Sequence, residues 1–291
     1  NKNDEKSFVK EKMMDLSNQN VIHVKKNGEE FLQFRKLLEY KEVKHAYSLG
    51  LDKNFRTARA NNVEIPPEEY KEVLNNYKEV SDAIGINYLN LVKPNQNHTD
   101  NVQVVKSKIE KDKPDFNLPT YSNTDGLITN KKDIALATTN ADCILLLFYD
   151  PIKKVIANTH SGWKGTLQRI SVKTVEKMQK SFGCNPKDII CCICPSIRKC
   201  HFEVERDVET MFEKEFSDLG DLSNIIEETK KGIKWHIDTV EINKIILQRA
   251  GLKPENIIDS GICSVCNKEI IHSYRAEGKD YSLSTAIISL V

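Results

Sequence analysis

One stretch constrains this chain more than any other. Cys143 is followed by an unbroken apolar run, Ile144-Leu145-Leu146-Leu147-Phe148-Tyr149, which stops at Asp150-Pro151. A run of that length, without polar breaks and closed by a turn signal, reads as a strand buried inside a sheet. It is far too short to cross a bilayer, and no other run in the sequence is longer. The residues around it continue the pattern. Positions 134–138 and 155–159 read as further strands, so 125–161 is expected to be the most regular part of the chain.

Helical spacing appears elsewhere. Tyr70, Val73, Leu74, Tyr77, Val80 and Ile84 form an apolar stripe over 68–84, with the Pro66-Pro67 pair at its start. Leu167, Ile170, Val175 and Met178 mark a second helix that stops near Phe182-Gly183, with Thr166 as its expected N-cap. Further helices are expected at 31–42, 207–216 and 240–250, the last capped by Asp238 or Thr239. Strands are expected at 20–24, 43–51, 102–108, 189–193, 257–263 and 281–290, and a surface loop at 110–123. Strands and helices alternate irregularly, which predicts a mixed-sheet α/β (α+β) fold. No Gly/Ser linker or internal repeat divides the chain. The expectation is a flexible segment over 1–20 and a single compact domain over 21–291.

The bulk numbers exclude some functions. The formal net charge is +1, from 43 basic and 42 acidic residues. No global field draws nucleic acid or an anionic membrane, so neither is expected as a partner. The first residues lack the apolar core of a signal peptide, which points to the cytoplasm, although the missing initiator Met leaves a removed leader open. Reduced thiols or metal ligands then suit the eight cysteines better than disulfides do.

Several residues carry candidate chemistry. Cys143 lies at the mouth of the apolar strand, and His160 ends the next strand 17 residues later. A hairpin of this length brings the two together, as a minimal zinc pair or a minimal nucleophile pair. Equally, Cys143 could be a small buried hydrophobe and His160 a turn residue. His98, in the polar loop Asn97-His98-Thr99-Asp100, would make a third ligand, leaving a fourth position open as in catalytic zinc sites. The segment His160-Ser161-Gly162-Trp163-Lys164-Gly165 opens a helix; Lys164, Gly165 and the free N–H groups suit an anion such as phosphate. In Ser273-Tyr274-Arg275-Ala276-Glu277-Gly278, Arg275 is a candidate anion contact and Tyr274 a candidate stacking partner, in what is otherwise a surface turn.

The other cysteines are weaker signals. Cys191-Cys192-Ile193-Cys194 and Cys263-Ser264-Val265-Cys266 each hold a CxxC, but the two lie about 70 residues apart, beyond compact zinc-ribbon spacing. Both lie on apolar, strand-like segments and are expected to be buried free thiols. Cys200-His201 is a second, weak candidate for metal or redox chemistry.

Together these segments resemble the YfiH family, which carries the multicopper polyphenol oxidoreductase (laccase) label. Thr124-Asp125-Gly126-Leu127-Ile128-Thr129 is similar to the family's segment ahead of its cysteine, and Ala141-Asp142-Cys143 to its ADC motif. His160-Ser161-Gly162-Trp163-Lys164-Gly165 is similar to HAGWRG, and Pro195 to Val204 to GPSIxxCCFEV. Lys234 to Asp238 with Asn243 resembles WHLDLxxAN, and Ser273 to Gly278 resembles SYRREG. The order matches from about residue 40 onward. The chain departs in having Cys194 before Pro195 and His201 where a second cysteine is usual. No Arg closely follows His45-Ala46-Tyr47-Ser48, so Arg56 or Arg59 would have to substitute.

The resemblance implies that His98, Cys143 and His160 are catalytic and hold the metal, zinc rather than copper. It implies purine nucleoside substrates, handled by phosphorolysis of adenosine, inosine, guanosine or methylthioadenosine with inorganic phosphate as co-substrate, by adenosine deamination, or by both. For deamination, Asp142 is the candidate to handle protons. A monomer or homodimer is expected. Two alternatives stand beside this one. The first is a metal-free hydrolase or amidase with Cys143 as nucleophile and His160 as base. The second is a non-catalytic binding protein on the same fold.

Overall fold

A computed structural model describes residues 14–291, and the greater part of the expected flexible segment, 1–13, lies outside them. Three sheets organise these residues. The first holds seven strands: β1 (Val21–Lys26), β2 (Glu29–Phe34), β3 (Val43–Ser48), β4 (Leu91–Lys93), β6 (Asp115–Phe116), β8 (Ala135–Asn140) and β16 (Ser284–Leu290). Their order is β1-β2-β3-β16-β8-β4-β6. The second holds six: β5 (Val102–Val104), β7 (Gly126–Thr129), β9 (Ile144–Asp150), β10 (Val155–Ser161), β11 (Ile190–Ile193) and β15 (Ile257–Asp259), in the order β15-β11-β9-β10-β7-β5. A small third sheet pairs β12 (Glu203–Val204), β13 (Ile226–Lys230) and β14 (Lys234–Ile237).

Among the described residues seven α-helices accompany them: α1 (Arg35–Leu38), α2 (Pro67–Ile84), α3 (Trp163–Leu167), α4 (Ile170–Phe182), α5 (Arg206–Glu215), α6 (Thr239–Arg249) and α7 (Tyr274–Glu277).

The apolar run fixes the layering. Successive side chains of a strand point to opposite faces. On β9, Leu145, Leu147 and Tyr149 pack against the first sheet, with Leu136, Ile288 and Phe34. Ile144, Leu146 and Phe148 face the other way, onto Ile170, Val175 and Met178 of α4 and Val240 and Leu247 of α6. The outer face of the first sheet is covered by Val73, Tyr77 and Val80 of α2. The result is a helix–sheet–sheet–helix stack, with mixed parallel and antiparallel pairing in both large sheets. Inside the sheet–sheet layer, the buried Asn158 side chain donates to the carbonyls of Leu136 and Ala286 (2.9 Å each) and accepts from the Thr138 hydroxyl. A polar group that deep must be satisfied, and here its partners lie in the opposite sheet.

Helix limits follow local chemistry. Pro67 starts α2, Glu68 and Glu69 complement its dipole, and Gly85 ends it at φ 78°. The Asp238 side chain caps α6 by accepting from Glu241 N (2.9 Å). Two expectations are corrected. Residues 31–42 are largely not helical, because Asn27 (φ 54°) and Gly28 (φ 78°) form a tight turn that pairs β2 back onto β1. Thr166 does not cap a helix; it is buried within α3, whose N-cap is Gly162. Arg169, in the left-handed region at φ 58°, then separates α3 from α4.

Candidate metal centre and active-site cavity

The β9–β10 hairpin brings the first two candidates together. Its register pairs Ser161 with Ile144 and His160 with Leu145, so Cys143 emerges beside the end of β10. The turn is held by Asp150, whose carboxylate accepts from Ile152 N (2.8 Å) and Lys153 N (3.1 Å). His98 arrives from the loop between β4 and β5. The ligand atoms of His98, Cys143 and His160 all lie within 4.8 Å of one another.

Asp125, at the start of β7, builds this constellation. Its buried carboxylate accepts from His160 Nδ1 at 2.8 Å. It also accepts the backbone N–H groups of Asn97 (3.1 Å), His98 (3.1 Å) and Thr99 (2.9 Å), and the Thr99 hydroxyl (2.8 Å). One carboxylate thus orients the His160 ring and moulds the loop that holds His98 at φ 56°. Motif reading placed Asp125 beside the cysteine segment without giving it a role.

The charges differ within the set. Burial alone would lower the His160 pKa, but the Cys143 sulfur and the Asp125 carboxylate outweigh it and push it up to about 10. At His98 burial wins, helped by His160, and holds the ring below the usual histidine range.

A two-histidine, one-cysteine donor set suits a four-coordinate metal with one position left open. Gly162 supplies a further sign of fit. A Cβ there would stand 3.0 Å from His98 Nδ1 and 3.2 Å from Cys143 Sγ. The Gly162 backbone is ordinary (φ −69°), so close packing beside the ligands, rather than conformational freedom, accounts for the glycine. Three other histidines are engaged elsewhere: buried His45 accepts from Phe34 N (2.7 Å), and His23 and His272 pair with Glu30 and Glu277.

The three ligands lie in the wall of a cavity of about 860 Å³. Trp163, Phe202, Tyr274 and Tyr281 bring aromatic surface to it, and Arg56, Arg59, Lys93 and Arg275 bring cations. Tyr274 stands edge-on to Tyr281 (5.0 Å between centroids), and the Arg56 guanidinium lies 4.4 Å above the Tyr281 ring. Lys93 is buried, and that burial, with Arg56 nearby, lowers its pKa to about 8.

The expected anion residues divide. Tyr274 and Arg275 line the cavity, whereas Lys164 and Gly165 are not among its lining residues. Lys164 is exposed over the Trp163 ring (5.5 Å), and Gly165 is buried, where a Cβ would press on Ile170 (3.3 Å). Arg275 uses its guanidinium to donate to the carbonyls of His201 (3.1 Å) and Glu203 (3.4 Å). Both Asp142 oxygens are also occupied, accepting from Ser264 Oγ (2.6 Å) and Arg275 N (2.7 Å). Asp142 therefore fastens the cavity rim, at the unusual φ of 95°. Asn140 supports the same turn by donating to the carbonyls of Cys143 (2.6 Å) and Pro195 (3.1 Å). Lys93 went unnoticed in the sequence because a single lysine in a polar loop carries no periodic or motif signal.

The fold and this site define an α/β domain with a candidate metal centre in the wall of a large cavity, and comparison with known proteins gives its family. Residues 58–290 match the family model described as multi-copper polyphenol oxidoreductase laccase, and the chain belongs to that family. It is 31% identical over 207 residues to the purine nucleoside phosphorylase YlmD of Bacillus subtilis, covering 71% of this chain and 73% of that one. It is 28% identical over 222 residues to the mouse purine nucleoside phosphorylase LACC1, covering 75% of this chain but only 47% of the relative, so it spans about half the length of that protein. A protein from an unknown prokaryotic organism named adenosine deaminase RL5 is 30% identical over 195 residues, 67% of this chain and 73% of its own. The fold is that of the Bacillus licheniformis protein YfiH, with a TM-score of 0.78 at 24% identity over 90% of this chain and 96% of that one. Among the described residues, no helix is long and apolar enough to cross a membrane.

Proposed function

We propose that this chain is a zinc-dependent purine nucleoside enzyme whose reaction centre is His98, Cys143 and His160. The observation that carries the reading is that these three ligands converge on a cavity lined by both aromatic rings and cations. About 860 Å³ is a volume suited to a nucleoside with a co-substrate anion. Relatives named for purine nucleoside phosphorolysis and adenosine deamination point the same way.

The chemistry divides among the chain's own residues. Zinc held by His98, Cys143 and His160 would supply a Lewis acid at the substrate. Tyr274, 54% exposed, offers a face on which a purine can stack. Arg56 and the buried Lys93 offer positive charge where phosphate would sit, and there each is worth more than at a wet surface. In phosphorolysis a phosphate oxygen forms a bond to the anomeric carbon while the bond to the purine nitrogen breaks and that nitrogen leaves with a proton. The cationic lining favours phosphorolysis over deamination as the principal reaction.

A second reading rests on one specific contact. Asp125 orients His160 beside Cys143, which is also how a cysteine nucleophile, its base and an orienting carboxylate are arranged. One experiment separates the two. Protein purified without added metal is assayed for bound metal, and adenosine is incubated with it in the presence and absence of phosphate. Zinc at the site with phosphate-dependent release of adenine supports phosphorolysis, and phosphate-independent release of inosine supports deamination. Full activity in protein stripped of metal would sink the zinc reading and leave Cys143 as nucleophile.

A further inference from the structure

A second group of metal-ligand residues lies away from the His98 centre. Cys200 and His201 come from the loop between β11 and β12. Cys263 and Cys266 come from the turn between β15 and α7. The fold brings these two segments together across 63 residues of sequence. The expectation of buried free thiols for the second CxxC is corrected at one residue: Cys263 is buried, but Cys266 is exposed.

The spacing of the four side chains is informative. Cys200 Sγ lies 3.6 Å from Cys263 Sγ and 3.7 Å from Cys266 Sγ. His201 Nδ1 lies 3.1 Å from Cys200 Sγ, 3.6 Å from Cys266 Sγ and 3.8 Å from Cys263 Sγ. Zinc–sulfur bonds near 2.3 Å and zinc–nitrogen bonds near 2.0 Å, set at tetrahedral angles, require edges of about 3.8 Å between sulfurs and about 3.5 Å between sulfur and nitrogen. Of the six edges, four lie within 0.3 Å of those values, one, between neighbours in sequence, is 0.4 Å short, and the sixth, between Cys263 and Cys266, is within 4.8 Å. A disulfide would need one sulfur pair at about 2.05 Å and would leave a thiol over. Here one sulfur is nearly equidistant from the other two.

The surroundings fit as well. Asn267 closes the CxxC turn by donating to the Cys263 carbonyl through its backbone (3.2 Å) and its side chain (2.9 Å).

We propose that Cys200, His201, Cys263 and Cys266 form a closed structural site for a soft divalent cation, zinc by its Cys3His donor set. With four protein ligands it leaves no position for substrate. Its role is to fasten the 198–202 loop to the 263–266 turn. Arg275 donates to the His201 carbonyl, Ser264 lies between two of the cysteines, and both hold Asp142. The site thereby sets the rim of the cavity without touching its contents.

The test counts metal and identifies its ligands in the full chain. Protein expressed with zinc is expected to hold two ions per chain. Cys143→Ala is expected to keep one, with an X-ray absorption spectrum of three sulfur neighbours and one nitrogen. The double variant Cys263→Ser/Cys266→Ser is expected to keep the other, with a thermal midpoint lower by about 5 °C or more. His201→Cys is expected to keep full zinc content, which guards against a double variant that does not fold. A Cys143→Ala protein without zinc would overturn the proposal, as would a Cys200–Cys263 disulfide in the purified wild type. The metal count in Cys143→Ala does not depend on nucleoside turnover, so failure of the functional reading leaves this test intact.

Discussion

The two clusters of candidate metal ligands in this molecule are built on opposite plans. His98, Cys143 and His160 give three donors and border a large cavity. Cys200, His201, Cys263 and Cys266 give four donors and close around a point. The first is held by a carboxylate: Asp125 gathers one ligand ring and three backbone amides before any metal is considered. The second rests on loop turns, where Asn267 holds the Cys263 carbonyl. Two donors at the end of a rigid strand hairpin and a third on a neighbouring loop would leave room for chemistry, whereas four donors on two loops would spend their coordination on holding the chain together. Asp142 and Arg275 connect the two, so the closed cluster supports the open one from behind.

The sharpest way to break this contrast is Cys143→Ala. Loss of the open site is expected to lower nucleoside turnover by about 10³-fold or more, as befits loss of several kcal/mol of metal assistance, while the closed cluster keeps its ion. Turnover that survives at wild-type level would remove the open cluster from catalysis. Gly162→Ala is next. Its methyl group presses on His98 and Cys143, and zinc affinity at the open site is expected to fall about 100-fold, with the unfolding midpoint nearly unmoved because the local φ is ordinary. A midpoint drop without any change in metal binding would show the contact to be only a packing matter. Asp125→Asn keeps the shape but removes the charge that orients His160. Equilibrium dialysis against zinc is expected to show affinity weaker by roughly 10–100-fold, with the closed cluster unaffected.

The smallest effect concerns the cavity's anion end. Burial and nearby Arg56 bring Lys93 down to about 8, from the ordinary lysine range. Below that pH the side chain is cationic; above it the charge is lost. The phosphate KM is therefore expected to be low near neutrality and to rise as pH passes 8. In Lys93→Met it should be raised about tenfold at neutral pH, since a buried charged hydrogen bond is worth on the order of 1.5 kcal/mol, and it should no longer depend on pH in that range. An unchanged KM for phosphate in that variant would assign the anion site to other residues.

Legibility in the sequence followed the range of the interactions. The β9–β10 hairpin was readable because its apolar run, its turn and both ligands fall within a short stretch. The α2 helix was readable from its stripe and its proline start. The stretch at 31–42 was misread because its apolar spacing was weighed without the Asn27-Gly28 turn, a local signal that was present. The closed cluster was seen only as two separate halves, Cys200-His201 and Cys263-Cys266. Nothing in linear spacing brings them together, since the juxtaposition is a product of tertiary structure. Asp125 illustrates a third case. Its residue type and position were visible, but its five hydrogen bonds depend on a loop whose path the sequence does not reveal.

The position of β16 has a consequence for how the chain is made. This strand has the highest residue numbers of any, yet it lies in the interior of the seven-stranded sheet, paired with β3 on one side and β8 on the other. Until Ser284 to Leu290 has left the ribosome, β3 and β8 have no neighbour to join them, and the layer that Asn158 bridges lacks one of its acceptors, the Ala286 carbonyl. A nascent chain can form the β9–β10 hairpin early, since that pairing is local. It must then wait for β16 to slot between two earlier strands, with apolar sheet edges open in the meantime. The seven-stranded sheet, and with it the layer that Asn158 bridges, thus closes only once β16 has been made.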